Sequence, residues 1–240
     1  MTPIRGILFD KDGTLIDFFA TWVQAYHAVA GEVAELSGDP DLADALLRAG
    51  GYDPATGELD PTAPLACGTN DEIAQLWSEH PGVARHLDLR HAVSQGFGRF
   101  GLQPKTVTDL PDLFHRLRGR GYRLGVATND HEAPTLDSLD YLGVRDALDF
   151  VAGADSGYGG KPGPGMLLGF CRATGLAPGE VAVVGDTVAD LAMARAGQAG
   201  LAVGVLTGAA KEDGLASLAD HVIDSIDGLE TLIDHLGRAP

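Results

Sequence analysis

The sequence predicts an α/β protein: a parallel sheet with helices on both faces, interrupted near its start by an all-helical insertion. Three observations carry that expectation. From residue 110 onward, short apolar runs alternate with helical patterns at the spacing of βαβ units. A separate apolar run, Ile7-Leu8-Phe9, stands at the N-terminus. Between the two, residues 15–101 read almost entirely as helix. A chain of 240 residues with 45% hydrophobic content is long enough for one large domain or for a core domain plus an insert.

Residues 4–9 read as a buried strand, and Gly13 marks where the backbone turns out of it. A helix over 17–38 follows from Trp22, Val23, Tyr26, Val29, Ala30, Val33 and Leu36, which recur at helical spacing. Asp39-Pro40 starts a second helix over 41–48. Residues 50–64 carry Asp53-Pro54, Thr56-Gly57 and Asp60-Pro61, which suit a small hairpin or an irregular loop. Helices over 70–79 and 83–95 come next, and Gly96, Gly98 and Gly101 then loosen the backbone into a hinge. Beyond it lie a helix over 110–119, a strand over 122–128, a helix over 133–142 and a short strand over 150–153. A glycine-laden loop leads to Lys161-Pro162. A helix over 166–174, a strand over 181–185, a helix over 191–196 and strands over 201–206 and 222–223 complete the pattern. There is no internal repeat and no low-complexity tail.

Composition narrows the function. The net charge of −17 argues against nucleic acid or an anionic membrane as partner, since both require basic surface. An acidic protein that binds an anion must build local positive charge from a metal or a few cations. Cys67 and Cys171 have neither metal-ligand nor redox spacing and read as reduced thiols of a cytoplasmic protein. The N-terminus reaches the first strand within a few residues, so no signal peptide fits, and no apolar run is long enough to span a bilayer. The eight histidines are scattered without ligand spacing.

The chemistry concentrates at three strand ends, where sheets of this kind place their sites. Asp10 and Asp12 stand one residue apart after the first strand, and side chains at i and i+2 of a strand point the same way. Two such carboxylates repel unless a cation or a shared proton intervenes. The pair suits magnesium, with one aspartate left as nucleophile or as acid and base. The second strand end carries Thr128 and Asn129 before a helix whose free N–H groups suit a phosphate. The third carries Asp186, with Asp190 one helical turn later. Lys161 precedes Pro162, which restricts its backbone and starts a helix. Plainer readings exist for each: an Asp/Gly turn, a strand-end cap at Thr128, a solvated Lys161, and helix-capping roles for Asp186 and Asp190. A nucleotide P-loop around Gly160-Lys161 fails, because Asp155 and Pro162 occupy positions that need Gly and Ser/Thr. Taken together, the set can bind magnesium plus a phosphoryl group.

Asp10-Lys11-Asp12-Gly13-Thr14-Leu15, then Ala127-Thr128-Asn129, then Lys161-Pro162, then Gly185-Asp186-Thr187-Val188-Ala189-Asp190 resemble, in order and spacing, the four motifs of the haloacid dehalogenase-like hydrolases. The resemblance is closest to phosphoglycolate phosphatase-like members with a helical cap. It implies a Rossmann-like catalytic core over 1–16 and 102–240 and a helical cap domain over 17–101. It also implies a Mg2+-dependent phosphatase of small organic phosphate monoesters, phosphoglycolate-like or sugar phosphates. Asp10 would attack phosphorus and form an aspartyl phosphate. Asp12 would protonate the leaving alcohol, then activate water, and its main-chain carbonyl would join Asp10 and Asp186 at the metal. Gly13, Thr128, Asn129 and Lys161 would hold the phosphate, with Lys161 also neutralising Asp10. Asp190 would steady Lys161 or a water at the metal.

A phosphomutase of the same family is the nearest alternative. A phospho-accepting signalling or binding protein is a more distant one. Dehalogenases lack the second aspartate, ion-pumping ATPases have threonine at the place of Asp12, and phosphonate hydrolases use a cap lysine that this chain lacks. The expected partner is a small phosphate ester, with the protein a monomer or homodimer. Arg48, Arg85, Arg90 and Arg99 are the cap's strong cations and candidates for a second anionic group of the substrate.

Overall fold

In a computed structural model that describes residues 2–101 and 104–237, the short apolar runs pair into one parallel sheet. Its strands are β1 (Gly6–Phe9), β2 (Arg123–Ala127), β3 (Phe150–Ala152), β4 (Val181–Gly185), β5 (Leu201–Val205) and β6 (His221–Ile223). They lie in the order β3-β2-β1-β4-β5-β6. The direction of succession reverses between β1 and β4, the switch point at whose carboxyl ends such sheets bind ligands. This order differs from the flavodoxin-like one. Phe9 lies opposite both Val126 and Val184, so β1, β2 and β4 end nearly level. Asp10, Thr128 and Asp186 therefore leave the sheet side by side.

Alternation along β1 sends Ile7 and Phe9 to one face and Leu8 to the other. The chain divides into two compact units, Met1–Phe18 with Pro104–Pro240, and Phe19–Gln103. Its first five helices are α1 (Phe18–Ser37), α2 (Leu42–Ala49), α3 (Pro64–Cys67), α4 (Asn70–Ser78) and α5 (Leu89–Gly101). In the sheet unit follow α6 (Leu110–Gly119), α7 (Glu132–Tyr141), α8 (Gly165–Thr174), α9 (Val188–Ala196), α10 (Glu212–Ala216) and α11 (Leu229–Gly237). Phe114 and Leu117 of α6 and Leu229 and Ile233 of α11 join Ile7 and Phe9 in one core, with Phe114 stacked on Phe9 at 5.5 Å. Met166 and Phe170 of α8 and Leu191 of α9 join Leu8 in the other. Each strand is thus buried on both faces, which explains its unbroken apolar run.

The other unit holds α2 to α5 and nearly all of α1. Trp77 is fully buried and its indole N–H donates to Leu46 O at 2.9 Å. The Phe97 ring meets Trp22, Tyr26 and Trp77 at centroid distances of 6.0, 5.9 and 6.4 Å. The turn-rich stretch makes a small hairpin-like bridge between Tyr52 and Leu59.

Four expectations need correction. The helix expected over 83–95 is α5, which begins at Leu89, where Asp88 Oδ1 accepts the His91 N–H at 3.1 Å. The glycines expected to form a hinge lie inside α5. Gly96 serves packing: a Cβ there would stand 2.6 Å from Val29 of α1. The helix expected from residue 191 starts at Val188, capped by Thr187, and Pro162 starts no helix because α8 begins at Gly165. α3, α10 and α11 were not expected, although Leu229, Leu232, Ile233 and Leu236 show the helical spacing of α11. The expected boundary at 101/102 adjoins residues 102–103, which lie outside the described residues. Among the described residues no helix is long and apolar enough to cross a membrane.

Candidate active site

Asp10 is the first residue beyond β1, fixed by its N–H to Val184 O at 2.8 Å. The chain then closes a tight loop in which Lys11 O accepts the N–H groups of Leu15 and Ile16 at 2.9 and 3.0 Å. Gly13 makes that loop possible with φ +84°, a region that disfavours side chains. It also makes room, since a Cβ there would lie 2.4 Å from Asp186 Oδ2. Thr207, just past β5, donates its hydroxyl to Gly13 O at 2.5 Å.

Lys161 crosses to this loop from the segment before α8. Its Nζ, buried, lies 2.5 Å from Asp10 Oδ1 and 2.5 Å from Asp190 Oδ1. Asn129 holds the lysine's backbone from both sides: Oδ1 accepts the Lys161 N–H at 2.9 Å and Nδ2 donates to Lys161 O at 3.4 Å. Its amide, expected on the phosphate, is therefore engaged in placing Lys161. Asp190 divides its two oxygens. Oδ1 takes Lys161, while Oδ2 accepts the Thr187 N–H at 3.0 Å and the Thr187 hydroxyl at 2.6 Å. The capping reading and the lysine-steadying expectation for Asp190 thus describe one carboxylate.

Thr128 is buried, and its Oγ1 accepts the Asp130 N–H at 3.1 Å. It caps no helix, because α7 starts four residues later. The helix N-terminus expected to serve a phosphate is partly taken, with the Glu132 N–H donating to Asp155 Oδ1 at 2.7 Å. Sequence reasoning missed a second ion network. Lys11, only 2% exposed, puts Nζ 2.6 Å from Asp12 Oδ2 and 2.8 Å from Asp130 Oδ2. A lysine between two aspartates in a turn gives no signal of burial, and two of the chain's four lysines are buried here.

Asp186 is fully buried. Its Oδ2 accepts the Ala209 N–H at 3.2 Å, while Oδ1 and the hydroxyl of Thr14 have no hydrogen-bond partner among the described residues. Asp10, Asp186 and Asp190 each bring a carboxylate oxygen within 4.8 Å of the others. Burial raises the Asp10 carboxyl to about 7 against the opposing pull of Lys161, with Asp190 and Asp12 adding to the rise. Burial likewise lifts Asp186 well above the usual carboxylate range, helped by the negative charges of Asp10 and Asp190. Burial presses the Lys161 ammonium down, but Asp10 and Asp190 outweigh it and leave the pKa raised. Five carboxylates against two ammoniums leave the cluster three negative charges in excess when all are ionised. An orphaned buried oxygen and an excess of hard oxygen donors fit a divalent cation held by Asp10 and Asp186. Asp190 fits less well, since both its oxygens are engaged.

Of the insert's arginines, Arg48 faces Asp44 and Asp53 at 3.7 and 3.6 Å, and Arg99 meets Glu32 at 2.5 Å, all within the helical unit.

A model of the haloacid dehalogenase-like hydrolase family matches residues 4–198. A phosphoglycolate phosphatase of Rhodospirillum rubrum is 34% identical, over 97% of this chain and 91% of that protein. A plasmid-encoded phosphoglycolate phosphatase of Cupriavidus necator is 28% identical, over 99% of this chain and 96% of that one. A HAD phosphatase of Thermococcus onnurineus shares the fold with a TM-score of 0.69 at 21% identity, over 96% of this chain and 98% of that chain.

Proposed function

The chain belongs to the haloacid dehalogenase-like hydrolases, and from that premise we propose a magnesium-dependent phosphatase of small organic phosphate monoesters that works through an aspartyl phosphate. One observation carries the reading. Asp10 sits at the sheet's switch point with one oxygen on Lys161, beside an Asp186 whose Oδ1 is buried and has no hydrogen-bond partner among the described residues. Phosphoryl transfer asks a protein mainly for positioning and charge neutralisation, and this cluster supports both.

In this mechanism the Asp10 carboxylate attacks phosphorus while the bond to the ester oxygen breaks. That oxygen takes a proton from Asp12 and leaves as an alcohol. Asp12, now ionised, accepts a proton from water as the water oxygen bonds to phosphorus. The bond to Asp10 breaks with its electron pair returning to the carboxylate. Lys161 neutralises Asp10 and the phosphoryl oxygens, and Thr128 with neighbouring N–H groups orients them. Asp10, Asp186 and the main-chain carbonyl of Asp12 would hold Mg2+. When bound, the cation supplies positive charge to the phosphoryl group and to Asp10. The core spans 1–16 and 102–240, and the cap over 17–101 sets substrate choice. The curated relatives support phosphoglycolate as the first substrate to test, with sugar phosphates second.

The test is phosphate release from a panel of phosphoglycolate and sugar phosphates with Mg2+. Chelation abolishes activity and Mg2+ restores it, while Asp10→Asn shows no turnover. In a single turnover of a substrate made chiral at phosphorus with oxygen isotopes, two successive displacements retain the configuration. Inversion at phosphorus would sink the covalent route, and sugar phosphate isomerised without phosphate release would identify a mutase.

A further inference from the structure

Lys11 adjoins Asp10 in the chain. Its ammonium is buried among carboxylates that the Lys161 network does not use, Asp12 and Asp130. The far end of this second network is firmly held. Asp130 is fixed through its N–H on Thr128 Oγ1 at 3.1 Å and through its carbonyl, which accepts the Ala154 N–H at 2.8 Å. The near end is held too, because Lys11 O anchors the turn that carries Asp12. Asp12 lies beside this fixed ammonium, with its Oδ2 on Lys11. A short carboxylate side chain at the mouth of a loop otherwise has several rotamers, and general acid–base catalysis demands one.

We infer that Lys11 is a positioning residue for Asp12: anchored on Asp130, its ammonium holds the Asp12 carboxyl in the one rotamer from which it gives its proton to the leaving oxygen and takes one from water. This rests on the reading of Asp12 as the acid and base. Lys11 acts through Asp12, so removing it slows the chemical steps and leaves substrate binding nearly unchanged. A buried ion network that served stability alone would lower the unfolding temperature without selecting the steps that Asp12 serves.

The experiment follows para-nitrophenyl phosphate hydrolysis with Mg2+ in the full chain for Lys11→Met, Asp130→Asn, Asp12→Asn and the double variant Lys11→Met/Asp12→Asn. With an activated aryl leaving group the second step suffers more than the first, so phosphate accumulates on Asp10 and adds mass to its peptide. Asp12→Asn is expected to lose roughly 10²–10⁴-fold in kcat and to accumulate the adduct. Lys11→Met is expected to lose at least about 10-fold in kcat, with KM within about two-fold, and to accumulate the same adduct; Asp130→Asn shows the same pattern more weakly. The double variant matches Asp12→Asn, because a positioning residue has nothing left to position. Multiplying losses in the double variant, or Lys11→Met slowed without adduct, overturns the inference while leaving Asp12 in its role. An Asp12→Asn protein with full turnover and no adduct overturns the reading of Asp12 instead. If Lys11→Met does not fold, Asp130→Asn decides: unchanged kcat and no adduct there overturn the inference.

Discussion

A Cβ on Gly208 would lie 1.7 Å from Asp186 Oδ2, and one on Gly13 would lie 2.4 Å from the same atom. The buried carboxylate therefore occupies space that two glycines from distant loops leave open, and its orientation is set by what they lack. Gly208→Ala must displace Asp186 or the loop after β5. Disturbing the surroundings of a metal ligand typically costs about 10–100-fold in affinity, so calorimetric titration of Gly208→Ala with Mg2+ should show a loss of that order. Asp186→Asn should weaken binding at least as much, and unchanged affinity in both would remove Asp186 from the metal site. Asp190 shows the same economy of placement, one oxygen capping α9 and the other on Lys161.

Within α5, two glycines of equal appearance in the sequence serve different ends. Gly96 lies against Val29 of α1, where a Cβ would stand 2.6 Å away, whereas a Cβ on Gly98 meets nothing within 4 Å. Overpacking costs about 1–3 kcal/mol, so Gly96→Leu should lower the denaturant midpoint by an equivalent amount. Gly98→Ala should raise stability by roughly 0.5–1 kcal/mol, the usual gain in a helix interior. Equal destabilisation by both changes would restore the hinge reading of this segment. α9 poses a related case: Thr187 both caps the helix and holds Asp190, so Thr187→Ala should cost about 1 kcal/mol of stability. It should also reduce turnover by loosening Lys161, measured as a fall in kcat with little change in KM.

For the molecule as a whole, the acid cluster ties stability to pH. In the metal-free chain Asp10 is raised to about 7, and Asp186 is raised well above the usual carboxylate range. The folded state thus keeps protons that the unfolded chain releases. That contribution is full below about pH 4 and is lost as pH rises through about 7. Asp130 runs the other way: burial raises its carboxyl, but Lys11, Asp12 and His131 together outweigh it and leave it lowered, and its contribution is lost only as pH falls below the usual carboxylate range. Mg2+ takes the ionised carboxylates, so its binding releases protons. The Mg2+-induced rise in Tm should be small near about pH 5 and grow through about pH 7 to 8. A rise independent of pH over that window would place the metal away from Asp10 and Asp186.

What the sequence determined by itself is what neighbouring residues encode. Apolar runs flanked by turn residues specified the strands, periodicity specified α1, α4, α6 and α8, strand-end position picked out Asp10, Thr128 and Asp186, and its place before Pro162 picked out Lys161. The spacing of α11 was equally legible and was overlooked. Tertiary structure alone decided who meets whom. Nothing local to Lys11 indicates a partner at Asp130, nothing local to Asn129 indicates the backbone of Lys161, and nothing near Gly208 indicates the carboxylate of Asp186. Those meetings depend on β1, β2, β4 and β5 ending nearly level in one sheet. That level follows from strand order and register, and side-chain period along a single strand carries no information about either.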